Sequence, residues 1–580
     1  MNVAEQIVQQ LVDAGVTRIY GIVGDSLNPI VDAVRKTGGS RKGGIDWVHV
    51  RHEEAAAFAA SADAQLTGKL AVCAGSCGPG NLHLINGLYD AQRSGAPVLA
   101  IASHIPSVQI GSSYFQETHP DRLFLECSVY REMISDPAQA PRVVNSAIRH
   151  AISLNGVSVL TIPGDISAEQ ASAPTPIYRE ARHPVLEPAP EDVENLAALL
   201  NKAKKVAIFA GYGVQGAHDE VIALAQALNA PIGHSLRGKD FIQYDNPFDV
   251  GMTGLLGYGA AAEGMNDADV LLMLGTDFPY NQFLPDTLTV QVDREAEKLG
   301  RRTDVSFPIQ ADVKALVTAV TPKIDKGRDD HFLQATLKRH AKIMKAPVGS
   351  YTRNAENLKP IHPEFVAHVL NEVADQDAVF TADTGMCNVW TARYIDPLGT
   401  RRLIGSFLHG SMANALPMAI GAQASHPGRQ VISVSGDGGL SMLLGELVTA
   451  RMHNLPIKVM VFNNSTLGMV KLEMLVAGLP DFGTDVHDVN YAGVAAAMGF
   501  HGERVEDPKR VRGAITDALA ADGPALVEFI TDPNALSLPP TITGEMLIGF
   551  ATAMSKVVLN RGAGEVVSMA TSNMRNIPRP

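Results

Sequence analysis

Cysteine and tryptophan are scarce in this chain, charge is modest, and no long apolar run occurs. Four cysteines, Cys73, Cys77, Cys127 and Cys387, are spread over 580 residues. None has the CxxC spacing of a zinc site and no disulfide framework is suggested, so they read as buried thiols in a reducing cytoplasm. No apolar run approaches the roughly 18 residues that a membrane-spanning helix needs. Charged residues make up 19% of the chain against 46% hydrophobic, which excludes a disordered polyelectrolyte. The net charge of −13 argues against a nucleic-acid partner and for a self-repelling surface. The N-terminal MNVAEQIVQQLVDAG reads as an acidic amphipathic helix, not a signal peptide.

What the chain has is a repeated alternation of short apolar strands, glycine turns and helices. This pattern predicts an α/β protein with three doubly wound parallel-sheet domains, about 100–200 residues each. The expected limits are residues 1–180, 190–335 and 355–535, with a tail over 536–580. The Pro-rich, charged RHPVLEPAPEDVE reads as a linker between the first two domains.

The most informative stretch is RQVISVSGDGGLSMLLGELVTARMHNLPIKVMVFNNSTLGMV. Val431–Val434 reads as a strand, Gly436-Asp437-Gly438 breaks it, and a helix carrying Leu440, Leu443, Leu444, Leu447 and Val448 on one face follows. A second strand, Ile457–Phe462, stops at Asn463-Asn464. Parallel strands joined by a helix bring both C-terminal ends to one sheet edge, where ligands of open α/β sheets bind. Asp437 and Asn464 are then expected to face each other as hard oxygen ligands suited to Mg²⁺. The glycines allow close backbone approach, and the helix after them offers N–H groups to an anion.

Glu53 lies where a strand hands over to the alanine-rich helix AAAFAASADAQL, whose small residues permit close packing around a carboxylate at its start. In the middle domain Gly211-Tyr212-Gly213-Val214-Gln215-Gly216 matches GxGxxG, but no acidic residue closes the next strand, so a nicotinamide dinucleotide site is weakly supported. The loop Met252-Thr253-Gly254-Leu255, the strand end Gly275-Thr276-Asp277-Phe278-Pro279, and Asp293 at the end of strand Thr289–Val292 form a second set of strand-end loops. Asp293 is placed to accept hydrogen bonds from a ribose. The first and third domains share one strand–turn–helix rhythm, as a duplicated fold would.

The Gly-Asp-Gly and Asn-Asn pair resembles the thiamin diphosphate fingerprint. RHEEAAAFAA, AGSCGPGNLHLINGL, YFQETHP, DVGMTGL, GSFLHGSMANALP and SGDGGLSML together resemble the pyruvate oxidase group of thiamin diphosphate enzymes, its quinone-linked members above all. That resemblance implies Asp437, Asn464 and the Thr466 carbonyl as Mg²⁺ ligands. Gly410, Ser411, Met412, Gly438, Gly439, Ser465, Leu467, Gly468, Met469 and Val470 would surround the cofactor, with Met412 as an apolar wedge beneath it. Glu53 would activate the aminopyrimidine, with Glu54 as its solvent-facing neighbour. Phe115 and Gln116 would meet the substrate, and the middle-domain loops would hold FAD. Met469 and Gln92 stand where the group carries an aromatic residue and a histidine. The implied reaction is oxidative decarboxylation of pyruvate to acetate and CO₂, with electrons passing through FAD to a membrane quinone (ubiquinone or menaquinone). An acetolactate-synthase-like carboligase, a phosphate-dependent oxidase and a non-catalytic flavin-binding subunit stay open. The resemblance also implies a homo-oligomer, a dimer at least and a tetramer in the expected form, with Glu53 and Asp437 of one site on different chains. The expected location is the cytoplasm, peripherally on the inner face of the cell membrane, with an amphipathic tail (Leu547, Phe550, Met554, Val557) on the lipid surface.

Overall fold

The computed structural model describes residues 1–181, 184–346, 348–535, 552–553 and 563–573. Three open sheets form in sequence. The first holds β1 (Arg18–Gly21), β2 (Asp46–His49), β3 (Ala71–Gly75), β4 (Val98–His104), β5 (Tyr130–Met133) and β6 (Val157–Pro163), in the order β2-β1-β3-β4-β6-β5, all parallel. The second holds β7 (Val206–Ala210), β8 (Ile232–His234), β9 (Asp249–Met252), β10 (Tyr258–Gly259), β11 (Val270–Leu274), β12 (Leu288–Asp293) and β13 (Phe307–Gln310). Only its β9–β10 edge pair is antiparallel. The third holds β14 (Val379–Ala382), β15 (Arg402–Gly405), β16 (Val431–Gly436), β17 (Lys458–Asn463), β18 (His501–Val505) and β19 (Ala525–Ile530), in the order β15-β14-β16-β17-β19-β18.

The first and third sheets therefore have the same strand order, and their helices correspond as well. In each, the second strand is followed by a long buried helix (Glu53–Thr67; Ala415–Ser425). In each, the third strand is followed by two short helices (Pro79–His83 and Ile85–Ser94; Asp437–Met442 and Glu446–Met452). The sequence pattern suggests one continuous helix in both places, because the apolar spacing runs on across the join. In the third domain the break spans Leu443–Gly445, and Leu443 sits at φ −124°, ψ 34°, outside the helical region. The apolar face survives the break, with Leu440 and Leu447 both in the core.

The two long helices are the contact between these domains. Ala55, Ala56, Ala57, Ala59 and Ala60 are fully buried, and the helix packs against Ala415–Ser425 more extensively than any other pair of elements touches. A Cβ on Gly421 would lie 2.0 Å from the Ala59 carbonyl oxygen, so backbone meets backbone there and only glycine fits. One continuous core, from Tyr20 and Val48 to Leu447 and Leu526, runs through both domains.

Two local readings are corrected. Tyr130–Met133 is a strand that the sequence pattern does not announce, because it is a half-exposed edge paired only with β6. The segment read as a linker becomes helical at Pro190, where proline opens the helix Pro190–Lys202. In the tail, Ala563–Asn573 is helical and Met569 packs with Leu472, Leu475 and Ala553. Ser572 donates to Asp532 Oδ2 at 2.6 Å. Leu547, Phe550, Met554 and Val557 lie outside the described residues. Among the described residues no helix is long and apolar enough to cross a membrane.

The helix crossing gives a direct test. Gly421→Val should lower stability by about 3 kcal/mol, the upper end of ordinary overpacking. Gly428→Ala, with nothing within 4 Å of its added Cβ, should stay within ~0.5 kcal/mol. Denaturant midpoints by circular dichroism read both.

Candidate active site

β16 and β17 are adjacent and parallel, with Gly436 paired to Phe462, so the residues just past both strands share an edge. Asp437 is 2% exposed there, and its Oδ2 has no hydrogen-bond partner. Burial raises its carboxyl to about 6, against the opposing pull of backbone N–H groups of Gly438, Ser465 and Asn464. The expected approach of Asp437 to the Asn464 segment is thus observed. An enclosed carboxylate oxygen without a donor is what a cation ligand presents before its ion arrives, so the donor set fits Mg²⁺.

The loop after β17 is held in shape by its own contacts. Ser465 adopts a left-handed backbone, φ +53°. Asn464 Oδ1 accepts the Thr466 N–H at 3.2 Å, and residues 465–467 pair with Thr484 and Val486. The Thr466 carbonyl accepts the Gly468 N–H at 2.9 Å and keeps a second lone pair for a metal. A Cβ on Gly438 would lie 2.7 Å from Leu467 Cδ2 and 3.5 Å from Met412 Cε, which places Met412 beneath the Gly-Asp-Gly turn. Gly410 is left-handed, and the Ser411 N–H donates to Ser406 Oγ. Met469 is half-buried against the core of the third domain, and Val470 is exposed.

Asp383, which no sequence motif singles out, joins these loops. It is buried at the end of β14, its Oδ1 accepts the Ala415 N–H at 2.8 Å, and a Cβ on Gly439 would lie 2.5 Å from its Oδ2. Burial raises its carboxyl to about 6.

The second half of the site lies on the first domain. Glu53 is 6% exposed and is the first residue of its helix, which His52 caps by accepting the Glu54 N–H. Its Oε2 is 2.9 Å from His83 Nδ1, and the His52 and His83 rings stack with centroids 4.3 Å apart. A Cβ on Gly80 would meet Glu53 Oε1 at 3.0 Å, so the Gly75–Gly80 loop closes over the carboxylate. Gln116, left-handed at φ +64°, packs against this loop from the segment after β4. Cys77 Sγ donates to its Oε1 at 3.3 Å, and a Cβ on Gly78 would lie 2.8 Å from its Cβ. Phe115 is 76% exposed and turned from this cluster.

Two readings are refined here. His83, which no sequence motif singles out, is the polar residue beside Glu53. Gln92 Oε1 accepts the Val157 N–H at 2.8 Å and serves the sheet. His83 lies in the GNLHLINGL stretch, but nothing in the local pattern sets it apart. Glu54 is half-buried rather than solvent-facing, because it accepts from Asn86 Nδ2 at 2.7 Å, and Asn86 also donates to Ser411 Oγ at 2.9 Å.

In the middle domain, Thr253 and Asp293 are buried at the ends of β9 and β12. Thr253 Oγ1 has no partner, Gly254 is at φ +103°, and burial raises the Asp293 carboxyl. Met252 and Thr276 are buried beside them, whereas Leu255 and Pro279 are exposed. The unpartnered hydroxyl of Thr253 fits a dinucleotide laid across these ends. Two of the expected contacts are otherwise engaged. Asp277 pairs with Arg301 and Arg302, and Phe278 packs edge-on to Phe209 in the core. Gly211 and Gly213 press against Gly275 and its neighbour Thr276, and the helix starts only at His218, so the GxGxxG match is a packing device.

Asp437→Asn, which removes the charge and keeps the shape, should weaken Mg²⁺ binding in the presence of diphosphate by about 100-fold or more, beyond the 10–100-fold of an outer-shell contact. Titration calorimetry reads it.

Three family models match in order: the thiamine pyrophosphate enzyme N-terminal TPP binding domain over residues 1–123, the central domain over 193–320, and the C-terminal TPP binding domain over 383–529. The chain is similar to a Bacillus subtilis protein described as thiamine pyrophosphate-containing, YdaP, at 36% identity over 97% of each chain. It is 31% identical to the pyruvate oxidase of Lactiplantibacillus plantarum, over 89% of this chain and 86% of that one. It is 29% identical to the acetolactate synthase of Mycobacterium bovis, over 93% and 90%. With its three domains in the family's order and its metal-side and carboxylate-side loops at the expected strand ends, the chain belongs to the thiamine pyrophosphate-dependent enzyme family.

Proposed function

We propose that this enzyme oxidatively decarboxylates pyruvate, with FAD as the internal electron acceptor and a membrane quinone as the external one. Pyruvate, water and quinone give acetate, CO₂ and quinol. The observation that carries the reading is the pairing of an unpartnered buried Asp437 Oδ2 beside Asn464 with an enclosed Glu53 on the other edge. Similarity to a pyruvate oxidase over most of both chains supports the substrate.

Thiamin diphosphate, when bound, supplies a nucleophilic carbon and an electron sink for loss of CO₂, and FAD supplies a two-electron acceptor. The chain does the rest. Asp437, Asn464 and the Thr466 carbonyl hold Mg²⁺ against the diphosphate. Met412 offers an apolar support beneath the Gly-Asp-Gly turn. Glu53 holds a proton at a cofactor ring nitrogen, and its enclosure keeps that proton from water. His83 contacts Glu53 Oε2 through Nδ1 and is 44% exposed, and it is proposed to hold a proton for the substrate. Gln116 orients the substrate from its locked backbone. Thr253, Gly254, Gly275 and Asp293 take the dinucleotide.

The assembly is proposed as a homodimer at least, and a tetramer in its working form, with Glu53 of one chain serving Asp437 of another. The tail is proposed to lie against lipid on the inner face of the cell membrane during turnover. In the described structure its helix Ala563–Asn573 rests on the helix Gly468–Val476, next to the metal-side loop.

Anaerobic pyruvate, added with thiamin diphosphate and Mg²⁺, should bleach the flavin, and quinone should restore its colour with release of acetate. Acetolactate without bleaching would make the protein a carboligase, and acetyl phosphate with O₂ would make it a phosphate-dependent oxidase. Glu53→Gln should lower kcat at least ~100-fold, as loss of a general acid–base group does. A chain ending at Leu538 should show higher activity without lipid. Equal kinetics with and without vesicles, in both full and shortened chains, would remove the tail from the proposal.

A further inference from the structure

Glu446 has no part in the reading above, yet it is among the most enclosed carboxylates of the protein, 1% exposed. It is the first residue of the second short helix after β16, placed there by the break at Leu443–Gly445. Its Oε1 accepts two backbone N–H groups of the first domain, Arg51 and His52, both at 2.9 Å. Its Oε2 accepts from Thr449 Oγ1 at 2.7 Å. Burial pushes its carboxyl up to about 7. A carboxylate in such a place is tolerated only while donors meet it, and here two of the three donors belong to the residues immediately before Glu53.

Those two residues control the surroundings of Glu53. His52 is the cap of the Glu53–Thr67 helix and its ring stacks on His83, which lies against Glu53 Oε2. A shift of the Arg51–His52 backbone therefore moves the helix start and the neighbouring imidazole together. The corresponding contact recurs in the opposite direction. Asn86, on the equivalent short helix of the first domain, donates to Ser411 in the loop before the equivalent long helix of the third. Each domain thus braces the other's loop with one polar side chain.

We propose that Glu446 is a positioning residue for Glu53, fixing the start of its helix by holding the Arg51 and His52 N–H groups. This rests on Glu53 being the activating carboxylate of the proposed function. The role differs from a general domain clamp in what it predicts. Domain contact is carried by the apolar helix crossing, whereas Glu446 acts on the orientation of one carboxyl.

Two measurements on the full-length protein test it: amide hydrogen exchange of the cofactor-free chain, and C2–H to deuterium exchange of bound thiamin diphosphate by quenched NMR. Glu446→Ala should speed exchange at Arg51 and His52 and slow C2 exchange about 10- to 100-fold, the range expected for a misplaced reacting group. Affinity for thiamin diphosphate with Mg²⁺ should stay within roughly threefold of wild type, because the metal ligands are untouched. Glu446→Gln, whose amide oxygen still accepts both N–H groups, should restore most of the C2 rate. Thr449→Val, which frees only Oε2, should slow it by about threefold and serves if the alanine variant fails to fold. Faster amide exchange with a wild-type C2 rate in the alanine variant, or in Thr449→Val should the alanine variant not fold, overturns the proposal. Glu53→Gln separates the two readings. If it leaves C2 exchange unchanged, the function proposed for Glu53 falls and this inference with it. If it slows exchange while the Glu446 variants do not, only this inference falls.

Discussion

The structure depends on how closely two helices can approach. The Glu53–Thr67 helix is mostly alanine between Ala55 and Ala64, and its partner offers a glycine where the backbones touch. Dispersion contacts between atoms at such short range are individually small but numerous, and a gap of about half an ångström to one ångström already forfeits roughly a quarter to a half of each. The apolar crossing therefore fixes the separation of two whole domains, and with it the place of a glutamate at one helix end. Little else on that helix could set the position of Glu53, since it sits at the first turn where a helix is least constrained by its own hydrogen bonds.

Around this crossing the protein holds several carboxyl groups in unfavourable surroundings. Asp383, Asp437 and Glu446 all have their carboxyls raised by burial. Each is kept where water would solvate it better. Asp437 has a free oxygen for a cation, Glu446 has three donors, and Asp383 braces two loops with one oxygen. The site is thus assembled in advance, with its unfavourable electrostatics offset by packing elsewhere. Preorganised groups of this kind need no rearrangement when a charged cofactor arrives.

Much of this was legible in the sequence, and the misses have one cause. Asp437 and Asn464 were readable because strand ends and helix starts are local signals, and the rule that parallel strands finish on one edge does the rest. Glu53 was readable from the alanine run after it. His83, Asp383 and Glu446 were not, because each works through a contact that no local pattern carries. Glu446 reaches residues 395 positions away, inside what reads as an ordinary apolar helix. The broken helices escaped because hydrophobic periodicity persists across a kink that keeps the same face inward. Edge strand β5 escaped because it buries too little to leave a pattern.

The shared strand order of the first and third sheets has a consequence for how such a protein can change. Two copies of one scaffold start with the same loops at the same strand ends, so either could in principle carry either task. Here the loop after the third strand carries the buried Asp437 turn in one copy and a serine–glycine turn in the other. The loop before the long helix carries an acid in one and a serine–methionine pair in the other. Once the tasks are divided, drift in one copy is free wherever the other has taken over. It is constrained wherever the copies still grip each other, at the Gly421 crossing and at the Glu446 and Asn86 braces. Those positions, rather than the loops facing the ligand, are where the two halves of the molecule must evolve together.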